Sequence, residues 1–222
     1  MIVISPAKRL SNKACDIILN ATTPAFDKEA NLLAGQLAKL NATDLTKLMG
    51  VSDNIASLNV ERFKSWGNSQ TEEKRAIFQF EGDVFKHLDA RNLNSDDIDY
   101  MNQRLRILSG IYGLLRPSDE MNPYRLEMGT QYNFGDTKNL YDFWGDKIAQ
   151  QIKLETKGNI LFNLASEEYF SSIKKYTEPL KVINFKFLSV SGGKERVIGV
   201  IAKRARDRKS TRLNSSHLLI SR

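Results

Sequence analysis

Residues Arg104 to Gly129, RLRILSGIYGLLRPSDEMNPYRLEMG, constrain this chain more than any other stretch. They hold three glycines, two prolines, two tyrosines, four arginines and three acids in twenty-six residues, a mixture that suits neither a simple amphipathic helix nor a simple strand. The apolar part, Leu105 to Leu115, is expected to be buried. Gly110 and Gly113 interrupt it, and glycine inside an apolar run marks a bend, a bulge or close approach of another backbone or a ligand. Arg116 and Arg125 flank a loop stiffened by Pro117 and Pro123. Two guanidinium groups on a stiff loop suit recognition of phosphate or carboxylate. They suit equally a core strand followed by a loop with two surface ion pairs, and residues alone do not separate the two.

Around this stretch, helical and strand patterns alternate. Residues 1 to 5, MIVIS, read as a buried N-terminal strand that stops at Pro6. Ser5-Pro6-Ala7-Lys8 then lies at its carboxyl end, where α/β sheets place ligands. Lys8 there is either an anion contact or an ordinary surface lysine. Leu33, Leu37 and Leu40 predict an amphipathic helix over 27–40, and Thr43 is placed to cap the next.

Leu45 to Trp66 reads as helix, tight connection, helix, with Gly50-Val51-Ser52 at the turn. The pattern approximates a helix-hairpin-helix, whose turn amides hold a DNA phosphate without reading bases. Two helices joined by a tight turn also occur without DNA.

A helix from Thr71 through Phe80 is expected, then a break at Gly82. A further helix starts at Ser95, its face formed by Ile98, Met101, Leu105 and Leu108. Leu140, Trp144, Ile148 and Ile152 predict one helix. Asn159 to Ala165 predicts a buried strand, and Ser166 a helix cap at a junction whose free amides suit an anion. Strands are expected over 182–188 and 196–202, joined at Ser191-Gly192-Gly193. No repeat or linker divides the chain. The expectation is one mixed α/β domain over residues 1–206, with a small sheet, surrounding helices and the helix-hairpin-helix-like element.

Charge needs dissection. The net charge is +7, but residues 203 to 222 carry +6 of it and residues 1 to 202 only +1. Asp207 to His217, DRKSTRLNSSH, back-translates with one choice of codons to a common short-read sequencing adapter. Residues 207–222 are therefore expected to be an artefactual, disordered tail, and the natural protein to continue beyond Arg206. The basic excess is then no argument for nucleic acid.

Chemistry is limited by what is scarce. Cys15 is the lone cysteine, so no intrachain disulfide forms and a reducing compartment is expected. One cysteine with His87 and His217 cannot build the usual nitrogen and sulfur site for zinc or iron, and no bound metal or cofactor is expected. No membrane span is expected either. There is no Walker loop, dinucleotide fingerprint or nucleophile elbow. What remains is a set of cations at element ends, Lys8, Arg116, Arg125, Lys203 and Arg206, with Glu127, Ser166 and Tyr169.

The motifs that carry a resemblance occur in order: Ser5-Pro6-Ala7-Lys8, Gly82-Asp83-Val84-Phe85, LSGIYGLLRP over 108–117, PYRLEMG over 123–129, FWGD over 143–146, NLASEEY over 163–169 and AKRAR over 202–206. Together they make the chain similar to the YaaA family of bacterial peroxide-stress proteins. That resemblance implies a monomeric cytoplasmic protein that limits free iron and oxidative damage under hydrogen peroxide. It also implies a positively charged cleft and DNA as partner. Carried to this chain, the hairpin is Gly50, Val51 and Ser52 and the cleft cations are Lys8, Arg116, Arg125, Lys203 and Arg206, with Ser166 added as the anion-binding junction read from the residues. It implies no catalytic residue. The alternative is an enzyme acting on a nucleotide-like or phosphorylated small molecule in the same cleft, with Glu127 or Tyr169 in acid–base work.

Overall fold

Strand β1 (Ile2–Ile4) is apolar on both faces and buried on both, as a strand covered from two sides must be. The computed structural model describes residues 1–13, 20–68, 74–185, 189–191 and 194–196. After β1 come a short strand β2 (Arg9–Leu10) and helix α1 (Asp27–Leu37). Ala30, Leu33, Ala34 and Leu37 recur at helical spacing on α1 and are all fully buried.

Helix α2 (Ala42–Met49) is capped by Asn41, not Thr43: the Asn41 side chain accepts from the Asp44 amide and the Asp44 side chain accepts from the Asn41 amide. It ends at Gly50 in the left-handed conformation, φ 60°, which favours glycine. Ser52 opens helix α3 (Asp53–Lys64), so Gly50-Val51-Ser52 does join two helices.

The segment expected as one helix to Phe80 is instead strand β3 (Lys74–Arg75), a single turn α4 (Ala76–Gln79) and strand β4 (Phe80–Glu81). All four α4 residues are buried, so the turn is set by packing on every side and not by one amphipathic face. Helix α5 (Asp83–Leu88) and helix α6 (Ser95–Arg104) come next, the latter capped by Asn94. Helix α6 gives way at once to strand β5 (Leu105–Ser109), every residue of which is buried. The helical spacing of Leu105 and Leu108 with Ile98 is thus coincidental, because sheet pairing claims both.

Strand β6 (Gly113–Leu115) returns antiparallel, and strand β7 (Glu120–Met121) pairs with β3. The stripe from Leu140 to Ile152 belongs to two helices, α7 (Leu140–Trp144) and α8 (Lys147–Glu155), broken at Gly145 with φ 50°. Strand β8 (Ile160–Asn163), helix α9 (Glu167–Phe170) and strand β9 (Lys181–Asn184) complete the main fold. Strand β10 (Ser189–Ser191) pairs antiparallel with β11 (Lys194–Arg196). The strand expected over 182–188 is β9, which pairs with β8 and not with the strand after it, while Gly192 and Gly193 lie outside the described residues. The rest of the strand expected over 196–202 lies outside the described residues.

The main sheet has the order β6-β5-β1-β8-β9, parallel except for β6. Ile4 lies opposite Ile107, and Val3 opposite both Arg106 and Asn163. Among the described residues, nine helices and this mixed sheet form one α/β fold. Its core joins β1, β5 and β6 to the buried faces of the helices, with Trp144 fully enclosed. Burial of each such large apolar side chain stabilises the fold by roughly 1.5–3 kcal/mol.

Candidate functional site

Parallel strands β1 and β8 end side by side, and the chain leaving one strand is hydrogen-bonded to the chain leaving the other. The Ser166 amide donates to Ser5 Oγ at 2.8 Å, and Ser5 Oγ donates to Ser166 Oγ at 3.2 Å. Ser166 opens α9 without a side-chain cap bond of its own. Ligands gather outside the carboxyl ends of strands in such sheets, and a cavity of about 490 Å³ lies there.

Its walls come from four places in the chain: the Ser5 to Arg9 turn, the Glu81 to Lys86 start of α5, the Tyr124 to Glu127 loop, and residues 164–169. Two glycines let these segments close up. A Cβ on Gly82 would meet the Ala7 Cβ at 2.9 Å. One on Gly110 would meet the Leu126 carbonyl oxygen at 2.5 Å, so the loop backbone lies directly against the bend after β5.

Glu127 organises the charge. Its Oε2 takes the Lys8 amine at 2.7 Å, and its Oε1 takes Arg125 Nη2 at 2.7 Å and Nε at 3.1 Å. Arg125 Nη1 also reaches the Lys8 carbonyl at 3.4 Å. Burial works to raise the Glu127 carboxyl, but the hydrogen bonds from Lys8 and Arg125 outweigh it and hold the group below the usual carboxylate range.

Beside this triad stand two tyrosines. Burial pushes the Tyr169 phenol well up, helped by Tyr124 and by the charges of Glu168 and Glu127. Burial likewise raises Tyr124, whose hydroxyl lies 2.6 Å from Ser109 Oγ. Both therefore stay protonated and are unsuited to act as bases. Altogether Lys8, Arg9, Lys86 and Arg125 line the cavity with Glu81, Asp83, Glu127 and Glu168, so its described lining is mixed in charge and not uniformly cationic.

The residues singled out from sequence divide. Lys8, Arg125 and Ser166 line this cavity, with Glu127 and Tyr169. Arg116 does not line it. Strand β6 runs antiparallel to β5, so it carries Arg116 back to the amino-terminal edge of the sheet. There Arg116 Nη2 donates to Glu155 at 2.8 Å, and the buried Arg106 holds the other oxygen of the same carboxylate. Gly50, Val51 and Ser52 are likewise outside the cavity lining, between α2 and α3. Lys203, Arg206 and Cys15 lie outside the described residues.

His87 sits on α5 with Nδ1 donating to the Asp83 carbonyl at 2.8 Å. Among the described residues no group of three or more His, Cys, Asp or Glu side chains is placed to hold a metal ion. Nor, among them, is any helix long and apolar enough to cross a membrane.

Sequence reading gave no role to Ser5, Arg9, Lys86, Tyr124 or Glu168. Ser5 and the Gly82-Asp83-Val84-Phe85 run belong to the motifs that carry the family resemblance. Glu168 carries no local pattern that marks it off from Glu167, and only the packing on Gly129 does so.

The architecture is that of an α/β protein with a mostly parallel sheet and a mixed-charge cleft at its carboxyl edge. The chain belongs to the family described as peroxide stress protein YaaA, whose sequence profile matches residues 1–211. It is 43% identical over 213 residues to a UPF0246 protein of Burkholderia lata, covering 93% of this chain and 82% of that protein. A UPF0246 protein of Burkholderia cenocepacia matches with the same identity and coverage, and one of Burkholderia mallei is 40% identical over the same shares. The family assigns the chain to the peroxide-stress response.

Proposed function

We propose that the protein serves that response by binding a phosphate-bearing, nucleotide-sized ligand in the cleft at the carboxyl ends of β1 and β8. The observation that carries this reading is the Lys8–Glu127–Arg125 triad. It joins two cations 117 positions apart in the chain on one carboxylate, inside a cavity of about 490 Å³. That volume falls in the range of small-molecule sites and is far too small for a duplex. Glu127 preorganises both cations, and each offers a charge-assisted hydrogen bond to an incoming phosphate. The neutral Tyr169 and Tyr124 supply aromatic surface.

Calorimetric titration of the full chain with pyrophosphate and with nucleoside monophosphates tests the reading. Lys8→Ala and Arg125→Ala should each weaken binding about tenfold or more, the worth of a charge-assisted hydrogen bond. Absence of binding, or binding indifferent to both variants, would sink it.

A second reading is DNA binding through the Gly50-Val51-Ser52 connection. It is favoured by one observation: Ser52 makes no side-chain cap bond, which leaves the first-turn amides of the twelve-residue α3 without that partner. DNA affinity should then fall steeply with salt and be weakened by Val51→Glu but not by Lys8→Ala. In either reading the cytosolic protein lowers free iron indirectly, through the nucleotide or nucleic acid it engages, and not by storing the metal.

A further inference from the structure

The four carboxylates of the cleft are not equivalent. Glu127 is saturated by Lys8 and Arg125. Glu81 faces Arg9 at 3.6 Å, and Asp83 lies in the first turn of α5. Glu168 has no ion pair among the described residues. Its Oε1 accepts the Gly129 amide at 2.9 Å, while its other oxygen has no hydrogen-bond partner among those residues.

The group is nevertheless held in place. Gly129 leaves no room beside it, since a Cβ there would lie 3.1–3.5 Å from three Glu168 side-chain atoms. Its main-chain carbonyl accepts the Tyr141 hydroxyl at 3.0 Å. The cavity therefore presents a fixed, half-buried acceptor alongside aromatic and apolar surface from Phe85, Tyr124, Tyr169 and Leu164.

We infer that Glu168 is a specificity-determining residue that reads the hydrogen-bond-donating edge of a guanine-type base, so that the cleft selects guanine nucleotides. This deepens the reading of the cleft as a nucleotide site and rests on it. A partly desolvated carboxylate is an acceptor only, and a ligand that leaves it unmatched is disfavoured. The ligand must then bring donors to Glu168 as well as an anion to Lys8 and Arg125. Among the common bases only guanine sets a ring N–H beside an exocyclic amino group. Adenine and cytosine place an acceptor next to the amino group, and uracil and thymine flank their N–H with two carbonyls. None of these offers the carboxylate two adjacent donors.

Titration of the full chain with pyrophosphate, GMP, IMP, AMP and UMP tests the inference. IMP differs from GMP only in lacking the exocyclic amine, and should bind about tenfold more weakly, as expected for one charge-assisted hydrogen bond. Glu168→Gln should narrow the GMP–IMP gap to less than about threefold and leave pyrophosphate affinity unchanged. Glu167→Gln, at an exposed neighbour, is the folding control and should change neither.

A short single-stranded oligothymidylate with and without one central guanine distinguishes a base in a strand from a free nucleotide. Preference for the guanine-bearing strand over GMP assigns the former, and the reverse assigns the latter. Equal binding of GMP and IMP by the unaltered protein overturns the inference even if the cleft binds pyrophosphate. Failure of pyrophosphate and every nucleotide to bind overturns the cleft reading itself.

Discussion

Arg116 and Arg106 hold opposite oxygens of the Glu155 carboxylate, so the guanidinium that sequence placed in a ligand cleft serves a structural ion triad. Arg106 is 4% exposed and its Nη1 donates to the Asn102 and Leu105 carbonyls, which fixes it where α6 meets β5. Removing the shared carboxylate strands a buried cation. Glu155→Ala should cost about 3–5 kcal/mol in urea unfolding. Arg116→Ala, at a more exposed partner, should cost about 1 kcal/mol or less. It should also leave nucleotide affinity within about twofold, in contrast to the roughly tenfold loss for Arg125→Ala.

Asp119 gives the fold a pH signature. It is buried, and burial raises its carboxyl from 3.8 to about 6 despite hydrogen bonds from the Thr22 hydroxyl and the Arg116 amide. The folded state therefore binds a proton more tightly than the unfolded chain. The resulting stabilisation is complete below about pH 4 and is lost as pH rises through about 6. Glu155 acts in the opposite sense. Burial works to raise it, but Arg116, Gln151 and Arg106 hold it below the ordinary value. Its stabilisation is present above the unfolded value and lost as pH falls through the folded one. Above the range in which Glu155 titrates, urea midpoints measured between about pH 5 and pH 6 should decline with rising pH in the parent, and Asp119→Asn should flatten that decline.

Gly110→Ala should lower stability and binding together. The added methyl group must displace the Leu126 carbonyl, which lies 2.5 Å from its position, and Leu126 separates Arg125 from Glu127. Crowding of this kind costs about 1–3 kcal/mol. The movement of the loop should weaken pyrophosphate binding about as much as Arg125→Ala. Retention of full affinity would show that the triad tolerates displacement of its loop.

The start of α2 offers a cleaner stability test. Asn41 and Asp44 satisfy each other's backbone amides at 3.0 and 3.2 Å. Asn41→Ala should cost about 1 kcal/mol by thermal or urea unfolding, without effect on ligand affinity.

Much of this architecture is legible in the chain because local signals agree with burial. Ile2-Val3-Ile4 reads as a core strand and is one, and the Leu33–Leu37 face of α1 follows from periodicity; the buried strand expected over Asn159 to Ala165 forms as Ile160–Asn163, with only Leu161 of it fully buried. Three features were not legible. Gly145 breaks what looks like a continuous stripe, because Trp144 must turn inward to donate to the Gly110 carbonyl at 3.0 Å. The α6–β5 boundary falls where sheet pairing overrides a helical spacing that Leu105 and Leu108 also satisfy. Strand direction separates Arg116 from Arg125: nothing within LSGIYGLLRP says that Leu114 runs antiparallel to Leu108. The cleft was half readable for the same reason. Lys8, Arg125 and Ser166 carry recognisable residue types at element ends, whereas Glu168 owes its position to a contact with Gly129, 39 residues away.

The pairing of β1 has a consequence for the chain as it is made. Its three apolar residues are made well before their neighbours, Leu105 to Ile107 on one side and Phe162 and Asn163 on the other. At ordinary elongation rates the second neighbour arrives on the order of ten seconds later. Until then Ile2, Val3 and Ile4 form an unpaired sticky strand tethered to a growing polypeptide. Pairing of β1 is thus a late, long-range step, and the main sheet cannot close around it before residue 163 has been made.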